Sequence, residues 1–453
     1  MNAWIPSSPP GGNETWRFVI STRTAPVPIG ISLPEGYRPT ATTDRFPAAR
    51  PPNDTDRPRL RRSSAGRPTA ARRLKPGTPD PQTMADSRSI RGLLWNDDES
   101  RPRAPWRLAL AVVLLVAGGV GGFVAASGIT ALTPNAAGPT LTAVLTVVAQ
   151  VVQVAGFVAG LVAAAVLVDR RYLADVGLRP SPAWWADLAF GLALGVALPA
   201  LVFALEFAAG FLRVTGTFVT RSDPSLGIGP GVAPVAALAL TLGYFVGVGV
   251  FEEMFFRGYL LPNVAEGLDG WLGIGSTGAL AGAAVVSGLA FGVGHGLNPN
   301  VTALALANIA LFGGLFAASY LLTERIAVAI GLHVTWNFSI ASVFGFPVSG
   351  FTTPVTVVAV EQSGPALVTG GSFGPEGGLV ALLALVVGVG ALGWWVRWRE
   401  GSLEWRVGVA SPSLRGRLFA DESAATGQTD ETGGRAETVE TTKADRAPET
   451  DRE

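Results

Sequence analysis

Phe251-Glu252-Glu253-Met254-Phe255-Phe256-Arg257-Gly258-Tyr259-Leu260 closes an apolar run that begins at Val232 and carries no charge other than Glu252, Glu253 and Arg257. A helix crosses the hydrocarbon core of a bilayer in about 20 apolar residues, and this run is longer. Ionisable groups in hydrocarbon cost several kcal/mol unless they are paired or functional. The stretch therefore reads as a membrane-spanning helix with a site near its end.

Runs of the same kind lie on both sides. Candidate spans are Trp106 to Leu132, Leu141 to Val168, Trp184 to Leu212, Val232 to Leu261, Gly278 to Leu297, Val301 to Leu322, Ile326 to Phe346 and Gly378 to Val396. The expected fold is all-α, a polytopic membrane bundle of about eight transmembrane helices with disordered termini. Composition agrees: the chain is 48% hydrophobic, 15% charged and has a mean hydropathy of +0.37. It has no cysteine, which excludes disulfides, thiolate metal sites and cysteine nucleophiles.

The zero net charge hides a split. Residues 1–83 hold 13 Lys and Arg against 6 Asp and Glu, a net +7, and the rest of the chain is −7. Residues 1–105 form a Pro- and Arg-rich region expected to be disordered, with Met84 an alternative start. Two N-terminal spans follow in 106–168, then a catalytic-type domain in 172–397, then a polar, acidic tail in 398–453. Arg101, Arg103 and Arg107 precede the first span, Arg170, Arg171 and Arg179 follow the second, and Arg397, Arg399 and Arg406 follow the last. The positive-inside rule then places both termini in the cytosol of a cell in whose membrane the protein is multi-pass. The bilayer and a membrane-associated protein or peptide are the expected partners, and nucleic acid is not.

The chain has only two histidines, and both stand in apolar runs, in Phe291-Gly292-Val293-Gly294-His295 and His333-Val334-Thr335-Trp336-Asn337. On a helix Glu253 and Arg257 form an i, i+4 pair in the favourable order, while Glu252 points about 100° away without that partner, as a general base should. His333 and Asn337 also share a face, and Gly288, Gly292 and Gly296 form a small-residue stripe beside His295. Together these groups offer a base, two imidazoles and a donor for an oxyanion. There is no H-E-x-x-H, so the zincin helix is excluded, and no G-x-S-x-G stands near either histidine. Activated water is the better nucleophile.

Glu252-Glu253 with Arg257, Phe291 with His295, and His333 with Asn337, in that order on three helices, resemble the CAAX protease and bacteriocin-processing (CPBP, or Abi) family of intramembrane metalloproteases. The resemblance implies a CAAX-type endopeptidase that hydrolyses a peptide bond of a membrane-associated protein. It implies catalytic roles for Glu252 and His295, which would activate water, and for His333 and Asn337, which would stabilise the oxyanion. Glu253, Arg257 and Phe291 would position them. A metal-dependent version would place one divalent ion, with zinc the best match, on Glu252, His295 and His333; a metal-free version stays open beside it. Outside that family, a non-catalytic binding or immunity scaffold and a proton-coupled carrier use the same polar cluster differently. The carrier lacks any visible repeat.

One count does not close. At about 1.5 Å per residue from the expected cytosolic ends, Glu252 is roughly 13 Å deep and His333 roughly 10 Å, but His295 is beyond roughly 20 Å. Either the fifth helix begins later, or Gly267 to Gly282 is partly re-entrant or interfacial.

Overall fold

The computed structural model describes residues 3–6, 16–19, 90–134, 137–222, 224, 228, 231–411 and 414–415. Ala3–Pro6 and Trp16–Val19 pair as antiparallel strands. The disorder expected for most of the first 89 residues and for the acidic end beyond Ala420, and the alternative start at Met84, lie outside the described residues.

From Ala104 onward the chain is helical. The helices are α1 (Ala104–Ala131), α2 (Pro139–Ala163, running on to Val168), α3 (Pro182–Ala208) and α4 (Pro234–Glu253). A wider turn over Met254–Leu260 joins α4 to α5 (Leu261–Leu268), after which come α6 (Ser276–Gly294), α7 (Ala303–Thr323), α8 (Ala327–Phe338) and α9 (Val380–Glu400). Proline stands in the first turn of α1, α2, α3 and α4, where its missing N–H costs nothing. Ser181 and Thr302 cap α3 and α7 by accepting from Trp184 N at 3.2 Å and Ala305 N at 3.1 Å.

Among the described residues seven helices are long and apolar enough to cross a membrane, with α4 and α5 forming one rod of 35 residues. The chain is a multi-pass membrane protein, and the bundle expected from hydropathy is present. The difference is in the seventh expected span, Ile326 to Phe346. There the regular helix, α8, is only 12 residues long, and Ala327 to Val334 are buried without a break. It is enclosed by protein rather than lipid, so nothing requires it to match the bilayer thickness. The fit to α3 is close: a Cβ on Gly191 would lie 2.3 Å from Val328 O, so only glycine lets the backbones approach this far.

The chain on either side of the site also departs from pure helix. β1 (Leu212–Thr220) pairs antiparallel with β2 (Val355–Gln362), from Leu212 opposite Gln362 to Thr220 opposite Val355. This ladder satisfies backbone groups in stretches read as the end of the third span and as a loop.

Both polar boundary regions are shorter than composition suggests. Residues 90–103, assigned to the N-terminal region, are folded, and Arg101 is buried with Nη2 donating to Glu266 at 2.7 Å. Arg107 donates to the same carboxylate oxygen at 2.8 Å, and Arg171 also binds Glu266. Buried Asp169 accepts from Tyr259 at 3.0 Å and from Asn263 at 2.6 Å. Burial pulls the Arg171 guanidinium below its ordinary value, and Asp169 pulls it back up. At the other boundary, Glu400 accepts from Arg325 at 2.6 Å and from Arg406 at 2.8 Å, so the chain after 398 is still part of the body.

Candidate active site

Glu253 and Arg257 are paired as the i, i+4 spacing requires. Arg257 Nη1 donates to Glu253 Oε1 at 2.9 Å, and its Nη2 donates to Gly313 O of α7 at 3.1 Å. Both side chains are fully buried. Three aromatic rings surround the guanidinium, with its Cζ 4.4 Å from the centroid of Phe291, 4.9 Å from Phe316 and 5.6 Å from Phe256. These ring faces stabilise the charge where water does not reach.

The pair has a third member. His333 Nδ1 lies 2.8 Å from the same Glu253 Oε1. A carboxylate accepts, so this nitrogen carries a proton, and in the neutral form of the ring Nε2 holds the lone pair. His333 Nε2 is 3.9 Å from Glu252 Oε2, an oxygen that is buried without a hydrogen-bond partner. The helical geometry thus separates the two glutamates: Glu253 holds Arg257 and His333 in place, and Glu252 is left free.

His295 is the first residue past α6, and its Nδ1 is 2.8 Å from Phe291 O. A carbonyl only accepts, so Nδ1 carries a proton here too, and in the neutral form of the ring Nε2 is open. Phe291 lies edge-on to both imidazoles, with centroids 4.9 Å from His295 and 5.8 Å from His333, while Phe316 stacks on His333 at 5.5 Å. Phe291 therefore packs against both histidines and the arginine.

Glu252, His295, His333 and Asn337 line one cavity of about 340 Å³, walled by Tyr244, Phe245, Phe251, Phe255 and Phe256. The helices around the site differ in length. α6 begins at Ser276, two residues earlier than expected, and residues 269–275 form a tight turn between α5 and α6 in which Trp271 and Leu272 are exposed. The 35-residue rod carries Glu252 near its middle, and the last turn of α6 meets it there through Phe291 and Phe256, 5.2 Å apart. Gly288 and Gly292 face α7 as the stripe suggested, where Cβ atoms would lie 2.8 Å from Ala310 O and 2.7 Å from Leu306 O; Gly296 lies outside that contact.

Glu252, His295 and His333, the residues expected to hold a metal, share this cavity. Among the described residues no group of three His, Asp or Glu side chains is placed to hold an ion. The contacts of His333 with Glu253 and of His295 with Phe291 O use Nδ1 and leave Nε2 of each ring as the nitrogen available to an ion.

Several residues here are not picked out by the motifs. Phe316, Phe256 and Tyr244 are three of many aromatics in apolar runs, and only contact distinguishes them. Glu376 is different. It is the sole acid in the Gly-rich loop 370–378, and it lines a second small cavity with Phe291, His295, His333, Asn337 and Ser349. An acid isolated among glycines was a signal that could have been read.

Fold and site define a multi-pass membrane protein with a buried glutamate–histidine cluster between its helices. Residues 234–339 match the family model described as type II CAAX prenyl endopeptidase, Rce1-like, the family that the three motifs resemble. All seven motif residues fall inside the match, which supports a CAAX-type intramembrane endopeptidase in general. Comparison with curated proteins and with solved structures returns no significant match.

Proposed function

We propose that the protein hydrolyses a peptide bond of a membrane-associated, CAAX-type protein with a water activated by Glu252. The observation that carries this reading is the partnerless Glu252 Oε2, 3.9 Å from the open Nε2 of His333 in a cavity shared with His295 and Asn337. A water at ordinary hydrogen-bond distance, about 2.8 Å, from both atoms would lie about 2 Å off the line between them.

The water gives one O–H to Glu252 and the other to His333 Nε2, which aims its lone pair at the scissile carbonyl. Its oxygen bonds to the carbonyl carbon as Glu252 takes the proton. The Asn337 amide donates to the oxyanion, and the proton on Glu252 passes to the departing nitrogen as the C–N bond breaks. His295, with its own open Nε2, flanks the substrate. This pairs Glu252 with His333 for water activation, where the family resemblance suggested His295. What supports the change is the separation of Glu252 from His333. No step is routed through a metal.

The arginines that flank the first and last spans support a cytosolic placement of both termini. The test uses purified protein in liposomes, a farnesylated C-a-a-X peptide and an unprenylated membrane-anchored reporter, in ¹⁸O-water. The expected result is one new carboxylate per cleavage, carrying the label. Absence of cleavage of both probes by folded protein overturns the reading.

A further inference from the structure

Glu376 belongs to no motif, lies outside the matched segment, and is 7% exposed. Its Oε1 accepts from Trp336 Nε1 at 2.9 Å, and its Oε2 accepts from Ser349 N at 2.6 Å and from Ser349 Oγ at 2.8 Å. Three donors on two oxygens is a full set for a buried carboxylate, strong enough to fix the groups that make it.

What those groups carry gives the contacts their meaning. Trp336 adjoins Asn337 on α8 and is three residues from His333, so the indole contact sets the rotation of the helix that bears both. Ser349 sits in a tight turn in which Val348 and Phe351 exchange hydrogen bonds at 2.9 and 2.8 Å. Its O accepts from Asn298 Nδ2 at 3.1 Å, and Asn298 N in turn donates to His295 O at 3.1 Å. One carboxylate thus bridges the two segments that carry the histidines.

The local backbone is arranged to hold this bridge. Ser349 has φ +48°, a left-handed conformation that serine seldom adopts, and its own N–H and hydroxyl are the groups bound to Glu376. Gly374 has φ +99°, and a Cβ there would lie 2.0 Å from Pro347 O, so the loop bearing Glu376 is pressed against the chain just before the turn. Asn308 of α7 closes the loop from below, donating to Glu376 O and Gly378 O, each at 2.9 Å.

We propose that Glu376 is a positioning residue of this site: through Trp336 it orients His333 and Asn337, and through Ser349 and Asn298 it orients His295. The inference rests on the endopeptidase reading for its kinetic consequence only. Because the chain has two histidines, selective ¹³C,¹⁵N-histidine labelling of protein with a histidine-free tag gives just two sets of ring signals. Glu376→Gln puts an amide where a donor must be accepted, and the ring signals of both histidines should shift. Trp336→Phe should shift His333 alone, and Ser349→Ala His295 alone. Glu206→Gln, a buried carboxylate bound to Gln362 in the α3–β2 region, should move neither.

With a farnesylated C-a-a-X peptide, kcat in Glu376→Gln should fall about 100-fold with KM unchanged, the cost of misplacing catalytic groups by about 1 Å. Trp336→Phe added to Glu376→Gln should cost little more, because the contact is already lost. Unchanged histidine signals in folded Glu376→Gln overturn the proposal, as do losses that simply add. If Glu376→Gln does not fold, the single variants Trp336→Phe and Ser349→Ala decide by the same signals. If wild type cleaves no probe, the endopeptidase reading fails while the ring signals still test the positioning.

Discussion

Removing Arg257 tests how the site is built. Its guanidinium makes two hydrogen bonds, to Glu253 Oε1 and Gly313 O, and lies against three rings, with the arginine itself out of contact with solvent. Arg257→Met keeps the apolar stem but leaves Glu253 as a buried charge with His333 its only hydrogen-bond partner. Breaking one side of a buried ion pair costs about 3–5 kcal/mol, chiefly the penalty of the stranded partner. If that is the cause, neutralising the stranded partner should restore stability. Glu253→Gln added to Arg257→Met should recover about 2 kcal/mol, the desolvation cost of a buried charged group exceeding that of an amide. The assay is reversible unfolding of purified protein in mixed micelles, across wild type, both singles and the double variant. A loss below about 1 kcal/mol in Arg257→Met, the range of exposed pairs, would refute the reasoning, as would a double variant no more stable than the single.

Gly191→Ala places a Cβ 2.3 Å from Val328 O and should destabilise by about 1–3 kcal/mol and lower cleavage by moving α8, whereas Gly243→Ala, with nothing within 4 Å, should be neutral or slightly stabilising; unfolding curves compare the two. Asp169→Ala removes the acceptor of Tyr259 and Asn263 and leaves Arg171 with Glu266 alone, so about 3 kcal/mol should be lost in the same assay. Cleavage should survive chelation and exchange into metal-free buffer within about twofold, since no three ligands converge. Activity lost to the chelator and regained with zinc would show that the site rearranges to bind an ion.

Much of this was legible in the residues because it is periodic or local. Glu253 and Arg257 meet because four residues is one helical turn, and that spacing also leaves Glu252 free. Phe291 and His295 are close for the same reason, and the small stripe before them does face another helix. Depth was not legible, since counting from one bilayer face assumes spans of equal length. The chain instead packs a 35-residue rod against a 12-residue helix enclosed by protein. Glu376, Ser349 and Asp169 escaped because their partners are distant in sequence: Glu376 and Trp336 are 40 residues apart, and Asp169 and Tyr259 are 90 apart. The contact of His333 with Glu253, across 80 residues, likewise links two motifs that hydropathy reads separately.

Glu252→Gln keeps size and shape while removing the proton acceptor, and Glu253, Arg257 and His333 retain their own bonds to one another. The decisive measurement is single-turnover cleavage of the farnesylated C-a-a-X peptide by wild type and Glu252→Gln, with unfolding curves on the same preparations. We predict at least about a thousandfold loss of rate, within the range expected for a general base that also orients its water, with stability unchanged. A folded Glu252→Gln protein that cleaves at the wild-type rate would contradict the mechanism.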